Sequence, residues 1–337
     1  MFGNRLGWSI SAVIVVVTVL ILVQLSSYGQ PSEPGALGRD AKSHTISMPV
    51  DPAAVAKFMV ERFDPAPLYQ EAIAAYQANQ DDYDAHDRIK TTNDPRIAKL
   101  SKGIDLLAKA ALSSQHTVFA GRPQDVINYD PDRPQINALR RLGKAAIYLG
   151  LLHNREKNTE EAKRLYEAAY ALGVKLYHER LSWEGFDAGL ELRGDAGQAL
   201  SRLGEATAQP DLVSVYGTLN RNRMELYEQR VKPLQHAIKA LNPYTADMIA
   251  IAFDGGDWLW RIEATLALGR CQWSASRYDR PYPAVTPGGA PANSGHFGDQ
   301  QAARKALERL VNDPDARIRI AAQAAHDLTV EQFRKLR

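Results

Sequence analysis

Apolar and polar positions divide this chain into three unequal stretches. The first, Trp8 to Leu25, carries no charge and is dominated by valine, isoleucine and leucine. At 1.5 Å per residue it makes a helix of about 27 Å, close to the hydrocarbon thickness of a bilayer. The second, residues 26–48, holds Ser, Gly, Pro, Gln and Thr with scattered charges and few apolar positions. Such a composition buries too little surface to offset its ordering entropy, which predicts a flexible linker. In the third, apolar residues recur at spacings of three and four, the period of helices packed on one face.

Within that body, Asp51-Pro52 reads as a cap and first turn of a helix through Phe63, with Val55, Phe58, Met59 and Phe63 inward. A second helix is predicted over Pro67–Gln77, and a third opens at Asp94-Pro95 with Ile97, Leu100, Ile104, Leu107 and Ala111 in one stripe. Between them, residues 79–93 are polar and acidic, a loop by composition. Gln135–His153 is strongly amphipathic. After the turn 153–158, a further helix starts at Thr159, with Glu160 and Glu161 in its first turn and Ala162, Leu165, Tyr166, Ala169 and Leu172 inward. Strand-like alternation is scarce. The fold class expected is all-α: stacked helical hairpins behind one N-terminal transmembrane helix.

Leu142-Gly143, Gly150, Ala162, Tyr166 and Ala169 resemble the small-and-large pattern of a tetratricopeptide repeat with a lengthened turn. Residues 236–243, His236 to Pro243, resemble the end of such a repeat's second helix. Nearer the carboxyl terminus, residues 260–269 align with residues 318–327, each with a large apolar residue, an arginine and alanines three apart. This pair resembles the second helix of a HEAT repeat. The resemblance implies that Asp313 caps the helix carrying 318–327, with Pro314 at its first position, and that the paired first helices lie at 299–311 and at 244–253, the latter joined by the turn Asp254-Gly255-Gly256-Asp257. The surplus over one HEAT period falls in the Pro- and Gly-rich segment 277–298, an inserted loop. The organisation read from the sequence is a short cytoplasmic tail 1–7, a signal anchor 8–25, a linker 26–48, a TPR-like domain 49–243 and HEAT-like repeats 244–337.

Arg5 precedes the apolar block, the charge order of a signal peptide or a signal anchor. A cleavage site is available after Gly29, but the apolar length suits an uncleaved single-pass span better. A short basic tail in the cytoplasm puts the body on the extracytoplasmic side, the periplasmic side in a bacterium. The lone Cys271 forms no intramolecular disulfide and fits either compartment. A net charge of +2 without a basic run gives no attraction for nucleic acid.

Candidate chemistry is sparse. Asp81, Asp82, Asp84, His86 and Asp87 lack the glycine and terminal glutamate of a calcium loop and read as solvated charge. His153, His178, His236 and His326 are dispersed without ligand spacing. Cys271 reads as a buried small hydrophobe. No metal, no cofactor and no catalytic residue is assigned. Trp258, Trp260, Trp273, Tyr278, Tyr282 and Phe297 cluster in sequence around the insert, as side chains that either line a partner-binding groove or pack the loop onto the body. The expected function is non-catalytic: a membrane-anchored scaffold gripping a protein or peptide partner, with Ala145–Leu176 and the insert 277–298 at the contact. The alternative is an extracytoplasmic α-helical toroid enzyme acting on carbohydrate, with Glu184, Asp187 and Glu191 near Trp183 as its acid–base group.

Overall fold

In the computed structural model, residues 36–46, 56–119, 121–130, 132–210, 231–239, 243–274 and 300–336 are described, together with positions 212, 213, 216 and 227. The expected tail 1–7, the apolar block 8–25 and the insert 277–298 lie outside them, as do Tyr278, Tyr282 and Phe297. Among the described residues the secondary structure is helical apart from one isolated bridge. No helix among them is long and apolar enough to cross a membrane. In chain order the helices are α1 (Ala36–Arg39), α2 (Ala66–Ala78), α3 (Gln80–Asp84), α4 (Arg96–Ala111), α5 (Pro134–Arg155), α6 (Thr159–Glu179) and α7 (Trp183–Ala206). There follow α8 (Lys232–Lys239), α9 (Thr245–Asp254), α10 (Trp258–Ser274), α11 (Gln300–Leu310), α12 (Ala316–His326) and α13 (Val330–Lys335).

The centre is the trio α5, α6 and α7, joined by short turns and packed in succession. Helix α5 carries Leu139, Leu142, Ala146, Leu149 and Leu152 on its buried face, as its periodicity requires. Helix α6 starts one residue earlier than a Thr159 cap would give: Asn158 is the cap, and its side chain accepts from the Glu161 amide at 3.4 Å. Helices α6 and α7 approach until their backbones touch. A Cβ on Gly173 would stand 2.5 Å from the Arg193 nitrogen, and one on Gly189 2.6 Å from the Tyr177 nitrogen. Only hydrogen fits there, which explains a glycine-rich helix whose intrinsic propensity is poor.

One flank of this trio is α2, α3 and α4; the other is α9 to α12. Here the structure corrects three expectations. Residues 56–64 are not helical: Glu61 lies extended, accepting from the Ser114 amide at 2.7 Å and donating to the Leu112 carbonyl at 2.9 Å. Those tertiary bonds outweigh the cap signal at Asp51-Pro52, which itself lies outside the described residues. Residues 79–93 are not a plain loop, because α3 and a 3₁₀ turn at His86–Arg88 form around Tyr83, which is buried with its hydroxyl donating to the Leu100 carbonyl at 2.7 Å. In α12 the cap is Asp315, not Asp313; its carboxylate accepts from the Arg317 amide at 2.9 Å.

A fourth correction concerns the linker. Residues 36–46 are docked on α9 and the turn after it, with Ala41 and Ile46 buried. The Gly38 amide donates to Asp247 Oδ1 at 2.8 Å, the Gly256 amide to the Ala41 carbonyl at 3.2 Å, and the Ile46 amide to Asp257 Oδ2 at 3.4 Å. Low hydrophobicity does not prevent docking where side-chain carboxylates capture the backbone. Helix α13, not foreseen from the sequence, is held by a capping box between Thr329 and Gln332.

Candidate functional site

The aromatic residues singled out near the insert occupy three different places. Trp260 is 1% exposed and stacks on Trp183, ring centroids 6.1 Å apart and planes 19° apart. Trp258 is half-buried. Its indole donates to the Glu179 carbonyl at 3.0 Å, and the guanidinium groups of Arg180 and Arg317 lie 4.2 and 4.5 Å from its ring centre. Trp273 donates to the Leu328 carbonyl at 2.7 Å. All three indoles take part in packing α10 against its neighbours. Trp183, Trp260, Gln235, Ile238, Lys239 and Glu263 outline a dent too narrow to hold a water molecule.

Glu184, Asp187 and Glu191 fall at helical spacings of three and four on α7 and face the basic stripe of α5. Arg140 donates a hydrogen bond to Asp187 at 2.9 Å and pairs by charge with Glu191 at 3.1 Å, and Lys144 reaches Glu191 at 2.5 Å. Glu184 lies between Arg133 at 3.3 Å and Lys239 at 3.0 Å. The three carboxylates are therefore an inter-helix ion ladder. Beside it stands a residue the sequence reading missed. Glu263 of α10 is buried and accepts the Trp183 amide at 3.0 Å, capping the start of α7. Burial, then the nearby charge of Glu184, raises the Glu263 carboxyl above the ordinary range. For Glu184, burial also opposes ionisation, but Lys239 and Arg133 outweigh it and hold the carboxyl below the usual value. Two neighbouring carboxyls are thus shifted in opposite directions, Glu263 up and Glu184 down, an arrangement able to supply an acid and a base.

A second titratable cluster clamps the segment 113–119. Lys175 of α6 is 0% exposed and donates to the Ser113 carbonyl at 2.5 Å. Burial lowers its ammonium to about 7. One turn on, the Glu179 carboxylate accepts the amides of Val118 at 3.0 Å and Phe119 at 2.8 Å. Burial raises it to about 7 despite those two bonds. His116 of the segment stacks on His178 of α6, centroids 4.5 Å apart, a pairing invisible in the dispersed histidines of the sequence. The hydroxyl of Tyr69, buried close by, is raised by burial and by the charge of Glu179. Lys175 and Glu179 thus hold the segment 113–119 through its backbone.

Next to it, Arg180 and Asp257 form a buried two-point ion pair, Nε to Oδ1 at 3.1 Å and NH2 to Oδ2 at 2.9 Å. Asp257 also accepts the Leu259 amide, so the turn 254–257 starts α10. Cys271 is buried, its thiol raised by burial and directed at the Pro243 carbonyl. The acidic cluster near residue 84 is engaged in part: Asp82 pairs with Lys99 at 2.9 Å, and Asp84 accepts from Tyr76 and faces Arg141. Among the described residues no three His, Cys, Asp or Glu side chains stand where they could hold a metal ion.

Comparison with known proteins finds no matching family model, no matching curated protein and no matching solved structure.

Proposed function

We propose that the chain is a membrane-anchored helical-repeat scaffold, its residues 8–25 spanning the bilayer and its body, of TPR- and HEAT-like hairpins, gripping a protein or peptide on the extracytoplasmic side. The observation that carries this reading is the outer face of α5. Ile147, Tyr148 and Leu151 recur there at spacings of three and four, and Leu151 is 37% exposed beside the half-buried other two. Such a stripe is what an apolar face of a partner helix or strand covers. Leu151→Asp in the full chain is expected to abolish partner recovery from detergent-solubilised membranes, with an unchanged circular-dichroism melt, because Leu151 is exposed. Recovery equal to wild type refutes the reading.

The opposite shifts of Glu184 and Glu263 favour a second reading, a carbohydrate-active enzyme using Glu263 as acid. Trp183 and Trp260 are both buried and the dent beside them is narrow, so this reading needs the α8 side to open. Turnover of glycans by wild type that is lost in Glu263→Gln would establish it over the scaffold.

A further inference from the structure

The docked segment 36–46 fixes where the chain leaves the body. From Leu25 to Ala36 only residues 26–35 intervene. Ten residues reach about 35 Å when fully extended, against about 80 Å for a free linker over 26–48. Resting on the reading that 8–25 spans the bilayer, we propose that the face formed by α1, the outer side of α9 and the outer side of α11 lies against the membrane and contacts anionic lipid headgroups.

Three features of this face support the assignment. The tether emerges on it, because Gly38 and Ile46 are bonded to Asp247 and Asp257 at the two ends of α9. Gly38 has no room for a side chain, a Cβ there standing 2.8 Å from Asp247 Oδ1, so the segment sits tightly on α9. The face is also basic. Arg39, Lys42, Arg304, Lys305 and Arg309 are exposed on it, against Asp40, Asp254 and Glu308. The Lys42–Asp254 contact is long, 3.9 Å between two well-exposed groups, and leaves Lys42 available to a headgroup. Finally, the Arg309 guanidinium lies 4.6 Å over the Phe253 ring, which joins the outer surfaces of α9 and α11 into one patch with apolar stems beneath its charges. Basic side chains within a short tether of an anionic leaflet gain attraction that fades over a Debye length.

The molecule carries its own ruler. Helix α6 has 21 residues, about 31 Å, and its carboxyl end meets Asp257 through Arg180. Glu160, at the other end, therefore stands about 30 Å from Asp257 and shares no contact with α1, α9 or α11. Fluorophores placed by Ser43→Cys, Gln301→Cys and Glu160→Cys, each in a full chain with Cys271→Ala, are measured in phosphatidylcholine–phosphatidylglycerol vesicles whose headgroups carry a quencher. Quenching is expected to be severalfold stronger at 43 and 301 than at 160, and Arg304→Glu with Arg309→Glu should bring the sites toward equality. Equal or stronger quenching at 160 overturns the orientation while the anchor stands. The same contrast in pure phosphatidylcholine overturns the recognition of anionic headgroups. A chain that fails to float with vesicles overturns the anchor itself, and the orientation with it.

Discussion

Lys175 gives the sharpest test of the energetics. Its ammonium sits at 0% exposure with the Ser113 carbonyl as partner, and burial brings it from 10.5 to about 7. At 1.36 kcal/mol per unit, that difference corresponds to about 5 kcal/mol against the folded state wherever the lysine is charged in both states. In Lys175→Met the chain keeps a similar volume and loses the charge. The cost is an unsatisfied Ser113 carbonyl, about 1–3 kcal/mol. The variant is therefore expected to exceed wild type by about 2–4 kcal/mol at pH 6. Between pH 7 and 10.5 the unfolded chain holds the lysine proton and the folded chain does not, so wild-type stability rises with pH, by up to about 1.4 kcal/mol per unit. The variant lacks that rise, and its advantage shrinks as pH increases. Urea unfolding followed by circular dichroism at pH 6, 7.5 and 9 measures both, and differencing the two proteins cancels groups common to them, the raised Cys271 thiol included. A variant less stable than wild type at pH 6, or a difference independent of pH, refutes the reasoning. Glu179 supplies the opposite slope. Raised from 4.5 to about 7, it holds its proton more firmly when folded, so its contribution is lost as pH climbs through that window, and Glu179→Gln should flatten it.

Two further substitutions test the packing. Gly189→Ala drives a methyl onto the Tyr177 nitrogen and the Gly173 carbonyl, backbone atoms that cannot turn aside, and a loss of about 3 kcal/mol is expected in thermal unfolding; Gly121→Ala, with nothing within 4 Å of its added carbon, should cost nothing measurable. Asp257→Ala leaves Arg180 buried without a counter-ion and releases the Ile46 amide. A loss of about 3–5 kcal/mol is expected, together with faster proteolytic cutting within 36–46.

What could be read from the sequence follows how each element is stabilised. Helices α5 and α6 carry full apolar stripes, and their positions were legible to within a residue or two. The stretch forming α7 gave no such reading, since Gly185, Gly189, Gly194 and Gly197 lower its propensity, while one of them, Gly189, lets its backbone meet that of α6. Residues 36–46 looked like tether because they are held by Asp247 and Asp257, some two hundred positions away. The spacing of Glu184, Asp187 and Glu191 was visible, but their neutralisation by Arg133, Arg140, Lys144 and Lys239 needs two other parts of the chain, α5 with its cap and α8. Glu263 stands among apolar residues of α10, where nothing local marks a carboxyl whose role is set by Trp183 and Glu184.

The bare contact at Gly173 and Gly189 has a mechanical consequence. At those two points backbone meets backbone with no side chain to change rotamer, so sliding of α6 along α7 runs into atoms that cannot turn aside, and the pair resists shear. Any bending the molecule undergoes is displaced outward, to the seams with α4 on one side and α10 on the other.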